Sequence, residues 1–89
     1  MKIYYTTQFK KDYKKAKKQG KNLNKLKTVI EKLSKKKKID PTFRDHPLSG
    51  NWKNHRDCHI EPDWLLIYRI SVDKLFLERT GSHSELFKK

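Results

Sequence analysis

The sequence has few of the residues and segments that mark secreted, membrane-spanning or disordered proteins. Cys58 is its single cysteine, so no internal disulfide can form, and we interpret it as a small buried hydrophobic residue. No apolar run approaches the ~20 residues that a membrane span needs, and the N-terminal residues lack a signal-peptide core. With three glycines, three prolines and no linker-like stretch, the 89 residues predict one domain over positions 1–89, and we expect it to be cytoplasmic.

Acidic residues are also scarce. The chain has 10 Asp and Glu against 23 Lys and Arg, which gives a formal net charge of +13. Such an excess favours a polyanionic partner, which can be nucleic acid, an anionic membrane surface or an acidic protein. Hydrophobic residues make up only 34% of the chain, but they stand at patterned positions, which indicates a folded domain with a lean core.

The first half predicts a strand followed by two helices. Residues 2–6 are rich in β-branched and aromatic residues, as strands are. Thr7 is the expected N-cap of the first helix and Gly20 its end, and Asn22 is the expected cap of the second helix. Apolar residues recur at helical spacing in both segments, and lysines cover the other faces. These apolar positions are Phe9, Tyr13 and Ala16 in the first helix and Leu23, Leu26, Ile30 and Leu33 in the second.

The second half predicts a loop and three strands. Residues 41–50 carry two prolines and a glycine, which favours a loop. Strands are expected at 56–61, 64–71 and 75–80, with turns at 61–64 and 72–74, a break at 81–82 and a terminal turn or short helix at 84–87. The order β-α-α-β-β-β predicts an α+β fold in which a helix hairpin packs on a small, mostly antiparallel twisted sheet.

Residues suited to proton transfer gather in this second half. They are His46, Asp57, His59, Asp63 and His83. Imidazoles titrate near neutral pH, and RNA cleavage needs a 2′-hydroxyl to lose a proton and a leaving 5′-oxygen to gain one. RNA supplies its own nucleophile, so this chemistry requires no metal and no cofactor.

Strand alternation sorts these side chains by face. Residues two apart in a strand share a face, so Asp57, His59 and Glu61 are expected on one side. Cys58 and Ile60 then point to the other side, which we take as the core. The polar set is therefore expected on the face that the helices leave open.

Several residues also have plain structural interpretations. His55 and His59 have the spacing of helical zinc ligands, but in a strand they lie about 13 Å apart, and no metal site is expected. Asp45 can simply cap a turn, and His55 is interpreted as a surface or packing residue. Tryptophans such as Trp52 and Trp64 belong to a core or its rim more often than to a base-stacking platform. The Lys35–Lys38 run is typical of a solvated helix end.

Three ordered motifs resemble the YafQ-type toxins of the RelE/ParE superfamily. They are DHPLSGNW at 45–52, RDCHIEPDWLLIY at 56–68 and ERTGSHSELF at 78–87. The first half is similar only in its pattern of strand, lysine-rich helix hairpin and loop. The resemblance implies a RelE-like fold and an mRNA interferase that cuts mRNA in the ribosomal A site. It also implies a cognate antitoxin of the DinJ/RelB type, which the charge of this chain predicts to be acidic.

Site residues carry over position by position. The resemblance implies catalytic roles for His46, His59, Asp63 and His83. It implies supporting roles for Asp57, Trp64, Arg79 and Phe87. The charge adds an RNA-binding set of Lys35, Lys36, Lys37, Lys38 and Lys53.

Roles for these residues follow as hypotheses. His46 is assigned as general base, and His83 as general acid on a mobile terminus. His59 is expected to hold the scissile phosphate or a proton network, and Asp63 to orient or charge-stabilise a histidine. Arg79 is expected to stabilise the anionic transition state, and Phe87 to pack against a base.

Two other classes of protein share some of these features. A non-catalytic RNA- or ribosome-binding protein would explain the charge but not three histidines and two aspartates in the sheet half. A DNA-binding repressor would need a recognition helix with base-reading side chains, whereas these helices carry mostly lysine. Growth arrest on expression in bacteria would separate a toxin from either class.

Overall fold

A computed structural model describes residues 1–87 as a sheet with two helices on one face and a short helix at the end. The strands are β1 (Lys2–Tyr5), β2 (His46–Pro47), β3 (Arg56–Glu61), β4 (Trp64–Ser71) and β5 (Lys74–Gly81). The helices are α1 (Thr7–Lys18), α2 (Leu23–Ser34) and α3 (His83–Leu86). Single 3₁₀ turns at Pro41–Phe43 and Gly50–Trp52 shape the connection between α2 and β3.

Among residues 1–87 the sheet has the order β1-β5-β4-β3-β2, and only its β1–β5 pair is parallel. The expected mostly antiparallel α+β architecture is confirmed. The predicted order β-α-α-β-β-β was incomplete, because the 41–50 segment contains the additional strand β2. A strand of two residues shows no alternation to detect, and Pro47 without its N–H is tolerated there because β2 is an edge strand.

Helix ends follow from local hydrogen bonding. Thr6, rather than the expected Thr7, caps α1, because the extended backbone of Thr6 lets its hydroxyl accept the Phe9 N–H at 2.9 Å. Gly20 ends α1 as expected, since its φ of +73° favours a residue without Cβ. The predicted Asn22 cap of α2 is confirmed by its acceptance of the Lys25 N–H.

The main core lies between the helix pair and one face of the sheet. Its buried members include Phe9, Ala16, Leu26, Val29, Ile30, Leu33, Cys58, Ile60, Trp64, Leu66, Tyr68, Leu75 and Leu77. Cys58 is fully buried, as expected, and burial raises the pKa of its thiol, which favours the unreactive protonated form. Within residues 1–87, no helix is both long and apolar enough to cross a membrane.

A second, smaller apolar cluster lies on the opposite face. It consists of Leu65, Ile67 and Leu86, packed against Leu48, Trp52 and Phe87. The cluster joins the β2–β3 connection and the C-terminal helix α3 to the open face of the sheet. It therefore brings two segments distant in sequence to the same surface as β3.

Candidate active site

Three histidine rings meet on the open face of the sheet. His46 comes from β2, His59 from β3 and His83 from the start of α3. The rings of His46 and His59 have centroids 6.2 Å apart, and those of His59 and His83 are 5.3 Å apart, both edge to face. The outer two side chains are about half exposed, so the row is open to a ligand from solvent.

His46 is positioned by the residues before it. Asp45 accepts hydrogen bonds from the Tyr68 hydroxyl at 2.7 Å and from Arg56 Nε at 3.2 Å, which ties the loop to β3 and β4. Arg44 adopts a left-handed conformation with φ of +50°. Its carbonyl accepts a hydrogen bond from His46 Nδ1 at 2.7 Å, and this fixes the proton on Nδ1 and leaves Nε2 for chemistry.

Asp57 lies beneath the histidine row with only 4% of its side chain exposed. Its Oδ1 is 3.0 Å from His46 Nε2, but the oxygen is not aligned for a hydrogen bond and has no hydrogen-bond partner among residues 1–87. Burial raises the pKa of the Asp57 carboxyl, while the neighbouring histidines, His46 first, oppose the rise. The site thus holds a buried carboxyl group directly beside the His46 imidazole.

His59 is the central ring of the row, and its surroundings lower its pKa. Burial lowers its pKa, and the positive charges of His83, Arg44 and His46 lower it further, whereas Asp57 opposes the change. His59 is therefore predominantly neutral at neutral pH. A neutral imidazole is able to accept a proton.

His83 is held by Asp63 from the turn between β3 and β4. Asp63 Oδ1 accepts the His83 backbone N–H at 3.0 Å and its ring Nδ1–H at 2.7 Å. These hydrogen bonds, the backbone one first, lower the pKa of the Asp63 carboxyl and keep it ionised. They also leave Nε2 as the His83 atom that is available to exchange a proton.

The segment that carries His83 is the short helix α3, which contacts α1. In α3, Ser82 and Glu85 form a reciprocal capping box, and Glu85 also forms an ion pair with Lys15 of α1. That ion pair and the Ser82 N–H lower the pKa of Glu85 to about 2. These contacts tie the segment that the sequence predicted to be a mobile terminus to α1 and to the β3–β4 turn.

Gly81 allows this close docking. It is the last residue of β5, not the break that the sequence predicted. A Cβ at this position would lie 3.1 Å from Glu85 Oε1 and 3.3 Å from a methyl carbon of Leu86. Glycine therefore lets α3 pack directly on the end of the strand.

Glu61 lies on the other face of the sheet from His59, which contradicts simple alternation. The pairing of β3 with β4 shifts register between His59 and Glu61. The side chains of Ile60 and Glu61 therefore lie on the same face of the sheet. Glu61 pairs with Trp64, and its carboxylate lies 3.7 Å from Lys25 Nζ of α2. The bulge turns this carboxylate away from the histidine row.

Arg79 is held by a carboxylate that sequence reasoning missed. Asp12 of α1 is buried and accepts hydrogen bonds from Arg79 Nε at 3.0 Å and Nη2 at 3.1 Å. These bonds raise the pKa of the Arg79 guanidinium. Asp12 also accepts the Thr80 N–H at 3.2 Å, so it fixes the strand that leads to His83. Because 67 residues separate Asp12 from Arg79, no local pattern reveals the pair.

The two remaining supporting residues are placed differently from each other. Trp64 is buried in the main core, on the opposite face from the histidines, and donates from Nε1 to the Thr80 hydroxyl at 2.9 Å. Any contribution of Trp64 to the site is therefore indirect. Phe87 lies on the site face, with its ring centroid 6.5 Å from that of His83.

His55 and the lysines lie outside the histidine row. His55 Nε2 is 3.3 Å from Glu78 Oε2, and its ring packs edge-on to Trp52, which agrees with a packing role. Lys35 pairs with Glu31 and Lys36 with Asp73. All five lysines of the RNA-binding set, Lys35, Lys36, Lys37, Lys38 and Lys53, are exposed.

Comparison with known proteins agrees with this architecture. The family model described as "Bacterial toxin of type II toxin-antitoxin system, YafQ" matches residues 1–88. The mRNA interferase toxin YafQ of Escherichia coli strain K12 is 45% identical over 86 residues, 96% of this chain and 94% of that protein. The crystal structure of YafQ from E. coli BL21(DE3) superposes with a TM-score of 0.92 at 44% identity, covering 96% of both chains. YafQ in the E. coli DinJ–YafQ complex superposes with a TM-score of 0.88 at 45% identity, again covering 96% of both chains. The chain belongs to the YafQ family of bacterial toxins of type II toxin–antitoxin systems.

Proposed function

We propose that this chain is the toxin of a type II toxin–antitoxin pair and an endoribonuclease. It acts in the cytoplasm as an mRNA interferase, cutting mRNA in the ribosomal A site. The observation that carries the proposal is the contact of His46, His59 and His83 on the open face of a chain with net charge +13. The E. coli relative named as an mRNA interferase toxin supports the same activity.

The proposed reaction is an attack of the ribose 2′-hydroxyl on the neighbouring phosphorus. The hydroxyl loses its proton to a base, the bond from phosphorus to the 5′-oxygen breaks, and an acid protonates that oxygen. The products are a 2′,3′-cyclic phosphate, or a 3′-phosphate after hydrolysis, and a 5′-hydroxyl. Because RNA brings its own nucleophile, the proposal includes neither a metal nor a cofactor.

The geometry favours His83 as the general acid. Asp63 holds the ring through Nδ1–H, so Nε2 is the atom that gives its proton to the leaving oxygen. The Asp63 carboxylate fixes the orientation of the ring and so positions Nε2 for this transfer. This keeps the acid role that the sequence suggested, with α3 in place of a mobile terminus as its support.

The other two histidines fit the reverse of the roles suggested by the sequence, with His59 as the general base and His46 at the phosphate. His59, whose burial lowers its pKa, is suited to accept the 2′-hydroxyl proton as the neutral base. His46 Nε2 lies beside the Asp57 carboxyl group, so this ring is better placed to contact the scissile phosphate than to take the 2′-hydroxyl proton. Arg79 keeps its predicted role as a cation for the anionic transition state, with two of its donors bound to Asp12. Phe87 offers a ring beside His83 for a base.

An acidic antitoxin of the DinJ/RelB type is the proposed partner. The E. coli relative is crystallised in a DinJ–YafQ complex. An acidic segment laid over the histidine row would offset part of the +13 charge and exclude mRNA from the site.

A ribosome cleavage experiment tests the proposal. The purified chain, treated with a chelator and desalted, is added to ribosomes programmed with a defined mRNA, and the new ends are mapped by primer extension. We expect cuts within A-site codons that carry 5′-hydroxyl ends, and no cuts in the same mRNA without ribosomes. Ribosome binding without cleavage by the native chain would instead favour the non-catalytic RNA-binding protein.

A further inference from the structure

The open face of the sheet extends beyond the histidine row, and its far end carries two aromatic rings and a guanidinium in line. Tyr4 of β1 pairs with Phe76 of β5, which pairs with Arg69 of β4. The Tyr4 and Phe76 rings are stacked, with centroids 5.1 Å apart and an interplanar angle of 19°. The Arg69 guanidinium carbon lies 4.1 Å from the Phe76 centroid, and Lys74 Nζ lies 5.8 Å from that of Tyr4.

This row shares its face with the candidate active site. Leu65 and Ile67 pair directly with His59 and Asp57, and Arg69 follows two residues further along β4 on the same side. Three strand spacings and four residues separate Tyr4 from His59, a distance of about 20 Å. A stacked strand that rises about 3.4 Å per nucleotide covers that distance in about six nucleotides.

Core packing does not account for these rings. Ile3, Leu75 and Leu77 are the residues of β1 and β5 that pack in the main core. Tyr4 is instead 39% exposed on the uncovered face. Glu78 lies 3.5 Å from Arg69 Nε and helps to position the guanidinium beside the Phe76 ring.

We propose that Tyr4, Phe76 and Arg69 form a stacking platform for the single strand of RNA that continues from the scissile bond. The identification of that strand as the substrate rests on the proposed function. Aromatic rings and guanidinium planes stack on any base, and cation–ring rows of this kind suit single-stranded RNA. Lys2 and Lys74, register partners at the same end of the sheet, supply cations for its phosphates.

Binding of RNA that cannot be cut tests the platform. Fluorescence anisotropy is measured with 2′-O-methyl oligonucleotides of about four and about twelve nucleotides, only the longer of which spans the ~20 Å. Tyr4→Leu is expected to weaken binding of the long RNA at least about fivefold and that of the short RNA less than about twofold. Arg69→Gln should also lower the salt dependence of long-RNA binding, whereas Tyr4→Leu should not.

Tyr5→Leu is the matched control. Tyr5 is the adjacent residue and is more exposed, at 50%, but its ring packs near Phe9 on the helix side of the sheet. We expect Tyr5→Leu to leave the binding of both oligonucleotides unchanged. If Tyr4→Leu does not fold by thermal melting, Phe76→Leu and Arg69→Gln make the same comparison.

Three results would overturn the platform. They are equal losses for Tyr4→Leu and Tyr5→Leu, equal binding of the long and short RNAs by the native chain, and no binding of the long RNA even at low salt. Because the probe is not cleaved, a failure of the proposed catalysis does not alter this readout. His83→Gln, in turn, should lose cleavage while keeping the preference for the long RNA.

Discussion

Asp63 accepts two hydrogen bonds from His83, one from the backbone N–H at 3.0 Å and one from ring Nδ1 at 2.7 Å. The first fixes the start of α3, and the second fixes the tautomer and orientation of the imidazole. A single carboxylate oxygen therefore links the β3–β4 turn to the proposed general acid.

Replacing the Asp63 carboxylate should make His83 a less effective general acid without abolishing cleavage. In Asp63→Asn the neutral amide oxygen is a weaker acceptor for the two His83 N–H groups, so the imidazole is held less firmly. We expect single-turnover cleavage to fall about tenfold or more, a part of the loss of about 10²–10⁴ that is typical when an acid–base group is removed. Asp73→Asn is the control, because Asp73 is exposed and pairs with Lys36. Equal activity of the two variants would show that the Asp63–His83 contact has no part in catalysis.

Much of the fold was predictable because the signals are local. The bounds of β3 and β4 match the sequence prediction, since alternation and a continuous apolar run are visible within a few residues. β2 was missed because two residues carry no period. Glu61 was placed on the wrong face because a bulge depends on the partner strand and leaves no mark in β3 alone.

The site was harder to predict than the fold. Alternation alone pointed Asp57 and His59 to the open face, but it could not place His46 or His83 beside them. That grouping came from the resemblance of the three motifs. Asp12 was missed entirely, because its partner Arg79 lies on a distant strand.

The Lys15–Glu85 ion pair should make the docking of α3 depend on pH. The folded pKa of Glu85, about 2, is below its usual 4.5, so its stabilising effect is present above about pH 4.5 and is lost as the pH falls toward 2. Because Lys15 is 60% exposed, we expect Glu85→Gln to cost only about 1 kcal/mol at pH 7. Thermal melts should show this difference shrinking between pH 4.5 and 2, whereas a pH-independent difference would contradict the ion-pair account.

Removal of the buried Asp12 carboxylate should lower the free energy of unfolding more than Glu85→Gln does. Asp12→Asn leaves the Arg79 guanidinium without its charge partner, and we expect a loss of about 2 kcal/mol in the free energy of unfolding. Urea denaturation of this variant beside Asp73→Asn measures the difference. A loss no larger than that of the exposed control would mean that Asp12 does not hold β5 in place.

Ribosome binding should weaken steeply as salt rises. Each lysine–phosphate contact releases counterions, and replacing Lys35, Lys36, Lys37 and Lys38 with glutamine should reduce the logarithmic salt slope by roughly 1–2. The reduction is smaller than four full contacts would give, because Lys35 and Lys36 already face carboxylates. Thermal melting should show an intact fold. Affinity that does not depend on salt would exclude charge as the docking device.

Single-turnover cleavage of ribosome-bound mRNA across pH tests the three-histidine site most directly. We expect His46→Gln and His83→Gln each to lose at least about 10²-fold in rate, and His55→Gln to stay within about threefold of the native chain. Since a base must be neutral and the pKa of His59 is lowered, the acid limb of the native profile should have its midpoint below 6.5, and His59→Gln should abolish that limb. If His46→Gln and His83→Gln both cleave within about threefold of the native rate, the proton transfers belong to other residues or to the ribosome, and the account is wrong.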